Sequence, residues 1–234
     1  MKRVALLGMP NTGKSTLFNR LTGAHAKVGN WPGLTVELLS AKLLVGDQMV
    51  QLVDLPGIYD MHGFSDDEKV VTTFLTTQTT DLLVVLLNTS QLDRQLNFVQ
   101  QMMQQDIPVL LVMNMVDEAQ KLGIHVDAKS LSEQLGVPVC LLSAKYGQGM
   151  EQLLPAMRQV LTVTSPTPSF TVDASHVERA FEQCTSVPSQ ASHALTESLD
   201  RVLLHPWFGL PIFHWQTFAR CNGLGIYRRT HVVA

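Results

Sequence analysis

Several short stretches carry residue types that do chemistry together, and they occur in a fixed order along the chain. The first is Gly8-Met9-Pro10-Asn11-Thr12-Gly13-Lys14-Ser15-Thr16. It fills every fixed position of G-x-x-x-x-G-K-[ST], between an apolar run, Val4 to Leu7, and a helical run, Leu17 to Leu21. Gly8 and Gly13 free the backbone, so that amide N–H groups can close on phosphate oxygens at the positive end of a helix. Lys14 is the expected contact to the terminal phosphates, and the Ser15 hydroxyl is the expected Mg²⁺ ligand. Asp54-Leu55-Pro56-Gly57 adds a carboxylate that can hold Mg²⁺ through water and, at Gly57, a backbone N–H for a γ-phosphate. Asn114-Met115-Val116-Asp117 ends a further apolar run. An ionised Asp117 only accepts hydrogen bonds, and guanine offers it a pair of N–H donors that adenine lacks. A site built for such donors rejects an analogue without them by roughly 10⁴–10⁵-fold. Asn114 would brace this loop. Ser143-Ala144-Lys145 comes last, with a backbone donor for the purine oxygen and a Lys145 stem to lie over the ring. The ordered set implies a Mg²⁺-assisted guanine nucleotide site.

The remaining chemistry concerns the γ-phosphate. Ala24 to Val36 is polar and glycine-bearing, and Gly33, Leu34 and Thr35 within it are expected nucleotide contacts. Thr35 is the natural second hydroxyl for Mg²⁺, with its N–H on the γ-phosphate. Such a segment orders with triphosphate and relaxes after hydrolysis. Many GTPases position the attacking water with a glutamine two residues after the glycine of D-x-x-G. Here Gly57 is followed by Ile58-Tyr59-Asp60, with no glutamine. Asp60 is either a base or a solvated loop carboxylate. Asn11 either braces the phosphate loop or lends its amide oxygen to a monovalent cation beside the β- and γ-phosphates, which would stabilise transition-state charge as an arginine finger does. The expected catalytic set is Asn11, Lys14, Thr35 and Gly57.

These stretches need a scaffold that ends strands at one place. Apolar runs predict strands over 3–7, 38–45, 48–53, 82–87, 109–113 and 139–142. Gly46-Asp47 predicts a tight hairpin, hence one antiparallel pair. Amphipathic stretches predict helices over 14–21, 66–76, 92–105, 128–135 and 150–161. Ser65 with Glu68 reads as a capping box, Asp127 as an N-cap and Gly136 as a helix stop. The alternation gives an α/β fold with a mostly parallel sheet of about six strands and right-handed crossovers, its ligand beyond the carboxyl ends of the strands. Thr164 to Ser169, rich in Pro, Ser and Thr, reads as a linker over 164–172 after a first domain over 1–163. Helices over 174–184 and 191–203 would then form a compact all-α subdomain over 173–211, too small for its own core and leaning on the first domain.

Composition narrows the class. A net charge of −3 with only 16% charged residues argues against a nucleic-acid partner, which favours a clustered basic face. Cys140, Cys184 and Cys221 lie far apart without metal-ligand spacing and read as reduced thiols. The sequence opens directly on a strand rather than a signal peptide, and no apolar run reaches the roughly 18–20 residues of a membrane span.

The set GMPNTGKST, Thr35, DLPG, NMVD and SAK resembles the translation-factor-related branch of small GTPases. Val28-Gly29-Asn30-Trp31-Pro32-Gly33-Leu34-Thr35-Val36-Glu37 is similar to the V-G-N-W-x-G-V-T-V-E stretch of the bacterial ferrous iron transporter family FeoB. Leu199 to Pro206 resembles the segment that closes that family's cytosolic helical domain before its membrane helices. The resemblance covers residues 1–211. It implies a Ras-like G domain and a small helical subdomain on the cytoplasmic face of the inner membrane, binding GTP or GDP with Mg²⁺ and regulating Fe²⁺ uptake through a membrane-embedded channel portion. It also implies K⁺ at Asn11, with the Gly29 and Trp31 carbonyls as partner ligands. Met115, where most GTPases carry lysine, is a trait of the family, and the resemblance implies that its apolar stem covers the base. After Pro211 the family would enter a membrane helix, whereas 212–234 with Arg228-Arg229 reads as a divergent, disordered tail. The rival readings are a nucleotide-gated binding module with negligible hydrolysis and a soluble GTPase of RNA or ribosome maturation.

Overall fold

In the computed structural model, residues 1–23, 26–33, 36–162 and 173–186 are described, and all belong to one compact unit, Met1–Val187. Its centre is a seven-stranded sheet of order β2-β3-β4-β1-β5-β6-β8. β1 (Lys2–Gly8), β4 (Gln48–Asp54), β5 (Leu82–Asn88), β6 (Val109–Asn114) and β8 (Val139–Leu141) run parallel. β3 (Glu37–Val45) returns antiparallel to β4 through the expected turn, with Val45 opposite Gln48 and Gly46 at φ 63°. An edge strand that the sequence did not announce, β2 (Lys27–Asn30), pairs antiparallel to β3. Its Lys-Val-Gly-Asn carries neither alternation nor β-branched enrichment, so its extended form is set by the neighbour it pairs with. The sheet therefore has seven strands rather than about six.

Both faces are covered, which is why the central strands read as unbroken apolar runs. Along β1 the side chains alternate between two cores. Val4 and Leu6 face α1 (Lys14–Thr22) and α6 (Met150–Thr162), through Leu17, Phe18, Leu153 and Met157. Ala5 and Leu7 face the opposite core, which α2 (Asp66–Thr77), α3 (Leu96–Met103), α5 (Ala128–Leu135) and α7 (Ala174–Cys184) complete with Phe74, Val99, Leu131 and Phe181. α7 packs on α3 and α5 and buries Val177, Ala180, Phe181 and Cys184. A two-stranded ribbon of β7 (His125–Val126) and β9 (Thr185–Ser186) flanks it.

The capping signals are realised. Glu68 N–H donates to Ser65 Oγ at 3.2 Å and Ser65 N–H to Glu68 Oε2 at 2.9 Å, the reciprocal box that starts α2. Asp127 accepts from the Lys129 and Ser130 amides to start α5, and Gly136 ends it at φ 68°. The single helix expected over 92–105 is instead a 3₁₀ turn, Thr89–Arg94, followed by α3. The cause is Gln95, which is buried. Its Oε1 accepts from the Asn88 amide at 2.9 Å, and its Nε2 donates to the carbonyls of Asn88 at 2.9 Å and Gln91 at 2.8 Å. A side chain that bonds the preceding backbone both ways replaces a helical turn. The linker, the expected helix over 191–203 and the tail 212–234 lie outside the described residues.

Candidate functional site

The site grows from the register of the strands. Leu6 stands opposite Asp54, Gly8 opposite Leu86, and Asn88 opposite Asn114. The carboxyl ends of β1, β4 and β6 thus deliver the phosphate loop, Asp54 and Asn114 to one end of the sheet, beside β1, where the chain order changes direction.

The phosphate loop is shaped by two left-handed residues, Asn11 at φ 65° and Gly13 at φ 87°. A side chain at 13 would be strained by that φ and would also meet Asn114 Nδ2 at 2.3 Å. Thr12 tightens the turn by donating its hydroxyl to the Met9 carbonyl at 2.8 Å. Gly13 offers α1 no side-chain cap, so the first-turn amides of α1 open onto the cleft. That cleft, about 440 Å³, is lined by Pro10, Asn11, Lys14, Ser15, Gly57 and Asp67 among others. The Gly57 backbone closes one wall: a Cβ there would lie 3.1 Å from Pro10 N.

Lys14 Nζ sits 2.8 Å from Asp54 Oδ1, with the side chains only 12% and 8% exposed. Burial pushes the Asp54 carboxyl above its ordinary range, and the hydrogen bond and charge of Lys14 pull the other way. A hydroxyl, a carboxylate and an ammonium around uncapped helix amides fit a magnesium–phosphate group. Ser15 and Asp54 are the residues that would hold the divalent ion.

The second half of the site is tied to the first by one side chain. Asn114, 2% exposed, donates from Nδ2 to the Thr12 carbonyl at 2.8 Å and accepts at Oδ1 from the Ala144 amide at 2.8 Å. Thr89, also buried, donates its hydroxyl to the Asn114 carbonyl at 2.6 Å. Met115 takes the left-handed φ of 62°, and its Cε comes within 3.6 Å of the Cβ position at Gly13, so its thioether reaches the loop floor. Asp117 lies in the first turn of α4 (Val116–Lys121). Ser143 and Ala144 are buried, with Ser143 bridged to Gln148, while Lys145 is exposed and holds its Nζ 5.2 Å over the Tyr146 ring.

Other expected residues are placed elsewhere. Gly29 lies in edge strand β2, opposite Leu38. Trp31 packs edge-on to Phe74, with ring centroids 5.2 Å apart, and the Arg3 guanidinium stands 5.0 Å from the ring. Neither lines the phosphate cleft with Asn11. Leu34 and Thr35 lie outside the described residues, and Gly33 takes φ 83° just before them. Asp60 Oδ1 accepts from the His62 amide at 2.7 Å and from Gln101 Nε2 at 3.0 Å. The His62 amide holds that carboxyl below the usual range, which makes it a poor base. Sequence reasoning missed Thr89, Asp67 and Arg20. Only Thr89 left a trace, as a hydroxyl just past a buried strand.

Known proteins share this architecture. The family model described as ferrous iron transport protein B matches residues 2–157. The chain belongs to that family. The Fe(2+) transporter FeoB of Synechocystis sp. is 41% identical over 93% of this chain, and that of Campylobacter jejuni 32% over 95%. The chain spans 37% and 39% of those two relatives. A GDP-bound mutant of S. thermophilus NFeoB superposes with a TM-score of 0.67 at 35% identity, covering 78% of this chain and 70% of that one. The cytosolic domain of T. maritima FeoB in its GMPPNP form gives 0.72 at 23% identity, covering 80% and 100%, a likeness of fold. The fold is thus that of a Ras-like G domain. Among the described residues, no helix is long and apolar enough to cross a membrane, and no cluster of three or more His, Cys, Asp or Glu residues could hold a metal ion.

Proposed function

We propose that this chain is the GTP-binding and GTP-hydrolysing regulatory module of a bacterial ferrous iron uptake system. The observation that carries the reading is the bridge from Asn114 to Thr12 and Ala144, which couples a phosphate cleft to a base-reading loop. That GDP and GMPPNP occur with relatives of the same fold supports it. Amides of residues 13–16 and Lys14 hold the phosphates. Ser15, Thr35 and, through water, Asp54 hold Mg²⁺, which when bound neutralises charge on the β- and γ-phosphate oxygens. Asp117 accepts from the guanine N–H groups, and Met9, Pro10, Thr12, Thr16, Gly33, Leu34, Met115 and Lys145 complete the nucleotide contacts.

Hydrolysis is slow, since Asp60 is tied to the His62 amide and to Gln101 of α3 and is not free to position water. A potassium ion at Asn11, shared with the Gly29 and Trp31 carbonyls, supplies the missing positive charge. Closure of 24–37 over the triphosphate then draws Trp31 off Phe74, and 54–65 responds through the Gly57 amide. The subdomain over 173–211 tunes nucleotide release, and the output goes to a membrane-embedded channel portion at the cytoplasmic face.

The test is nucleotide binding and single-turnover hydrolysis with Mg²⁺. GTP is expected to bind at least about 10³-fold more tightly than ATP, with slow turnover. Equal affinity for the two overturns the base reading. Tight GTP binding with no hydrolysis in K⁺ or Na⁺ leaves a binding module instead.

A further inference from the structure

We propose that Arg20, which belongs to none of the nucleotide motifs, is a positioning residue for the base-reading loop and sets the rate of guanine nucleotide release. Arg20 lies in the last turn of α1, the helix that begins at the phosphate loop. Its side chain crosses to the loop after β8. Nε donates to the Ala144 carbonyl at 2.6 Å and Nη2 to the Lys145 carbonyl at 2.8 Å. The guanidinium passes under Gly147, which takes φ 80°, and a Cβ there would stand 2.7 Å from Nη1, so the guanidinium would have to shift.

Ala144 is therefore gripped on both sides of one residue, its amide by Asn114 Oδ1 and its carbonyl by Arg20 Nε. A two-pronged donor onto consecutive carbonyls fixes the plane of the intervening Ala144–Lys145 peptide, which a single hydrogen bond would leave free to rock. The Lys145 N–H belongs to that same peptide and has no partner among the described residues. The Ala144 amide is already taken by Asn114. The fixed peptide thus presents its one free donor to the 6-oxo group of guanine. The second effect is mechanical. α1 leads directly from the phosphate loop, so Arg20 links the element that grips phosphates to the loop that grips the base.

This inference rests on the guanine nucleotide reading, and its test separates the two. Release of fluorescent GDP is followed by stopped flow for the parent, Arg20→Met and Arg20→Lys, beside the diphosphate of 2-aminopurine riboside, which lacks the 6-oxo group and, with it, the N1–H. Arg20→Met keeps the aliphatic stem and removes the donors. It is expected to speed GDP release about tenfold, the worth of one well-made hydrogen bond, and to speed release of the 2-aminopurine nucleotide less than about twofold. Arg20→Lys, with one compact donor, is expected to fall between, and it carries the comparison if the methionine variant folds poorly. Equal acceleration of both nucleotides, or no acceleration of GDP release, overturns the proposal. A parent protein that releases the 2-aminopurine nucleotide as slowly as GDP instead removes the base reading itself.

Discussion

Replacing Asn114 by alanine separates the two halves of the site, and the structure sets the size of the effect. The side chain makes two buried hydrogen bonds, to the Thr12 carbonyl and from the Ala144 amide, each at 2.8 Å. Thr12 is 2% exposed and Ala144 1%, so water does not readily replace the lost partner. An orphaned buried group costs about 1–3 kcal/mol. Two of them give about 2–6 kcal/mol, and about 3 kcal/mol allows for partial relaxation of the two loops. Against a domain stability of about 5–15 kcal/mol the variant still folds. Its melting temperature falls by about 6–12 °C in a chain of this size. Urea unfolding of the nucleotide-free protein reads this as a lower midpoint at unchanged slope.

Asn114→Asp is the sharper probe. It keeps an acceptor for the Ala144 amide but turns a second oxygen toward the Thr12 carbonyl, so it is expected to be at least as damaging as alanine. Both variants should lose guanine nucleotide affinity by about a hundredfold or more, because the phosphate loop and the base loop no longer share a brace. An alanine variant within about 1 kcal/mol of the parent, with unchanged affinity, would refute the argument.

Three further outcomes follow from other parts of the molecule. The Asp54 carboxyl is raised in the folded state, so its contribution to stability is greatest below the unfolded value and declines as pH rises through the raised one. In magnesium-free urea titrations from about pH 4 to about pH 6, Asp54→Asn should remove that downward component, and an identical pH profile for both proteins counts against it. Phe181, 3% exposed in α7, should cost about 3–5 kcal/mol on replacement by alanine, while GTP affinity holds, since α7 contributes nothing to the phosphate cleft; a calorimetric scan and a binding titration check the two halves. Asn11→Ala should abolish any advantage of K⁺ over Na⁺ in hydrolysis and leave GTP binding largely intact. Equal rates in the two salts for the parent protein would defeat that.

The order of motifs was legible because each depends on local chemistry. A phosphate loop needs glycine where φ is positive, and Gly13 at 87° is that residue. Ser65 with Glu68, Asp127 and Gly136 announce helix ends through bonds that span only a few positions. Unbroken apolar runs at β5 and β6 announced strands covered on both faces, and both are buried throughout. The alternating pattern of strand and helix then put the expected ligand at one end of the sheet.

What the sequence could not settle are pairings between residues far apart in the chain. Edge strand β2 takes its form from β3, and the break before α3 comes from a buried glutamine that bonds to Asn88. Arg20 belongs to no motif, and only the fold brings Ala144 to it, 124 positions away. Trp31 read as part of a nucleotide-facing segment, yet its ring rests on Phe74 beside Arg3. Residue type fixes which bonds a side chain is able to make. Only the closed fold decides which partners are within about 3 Å, because that distance depends on every strand between them.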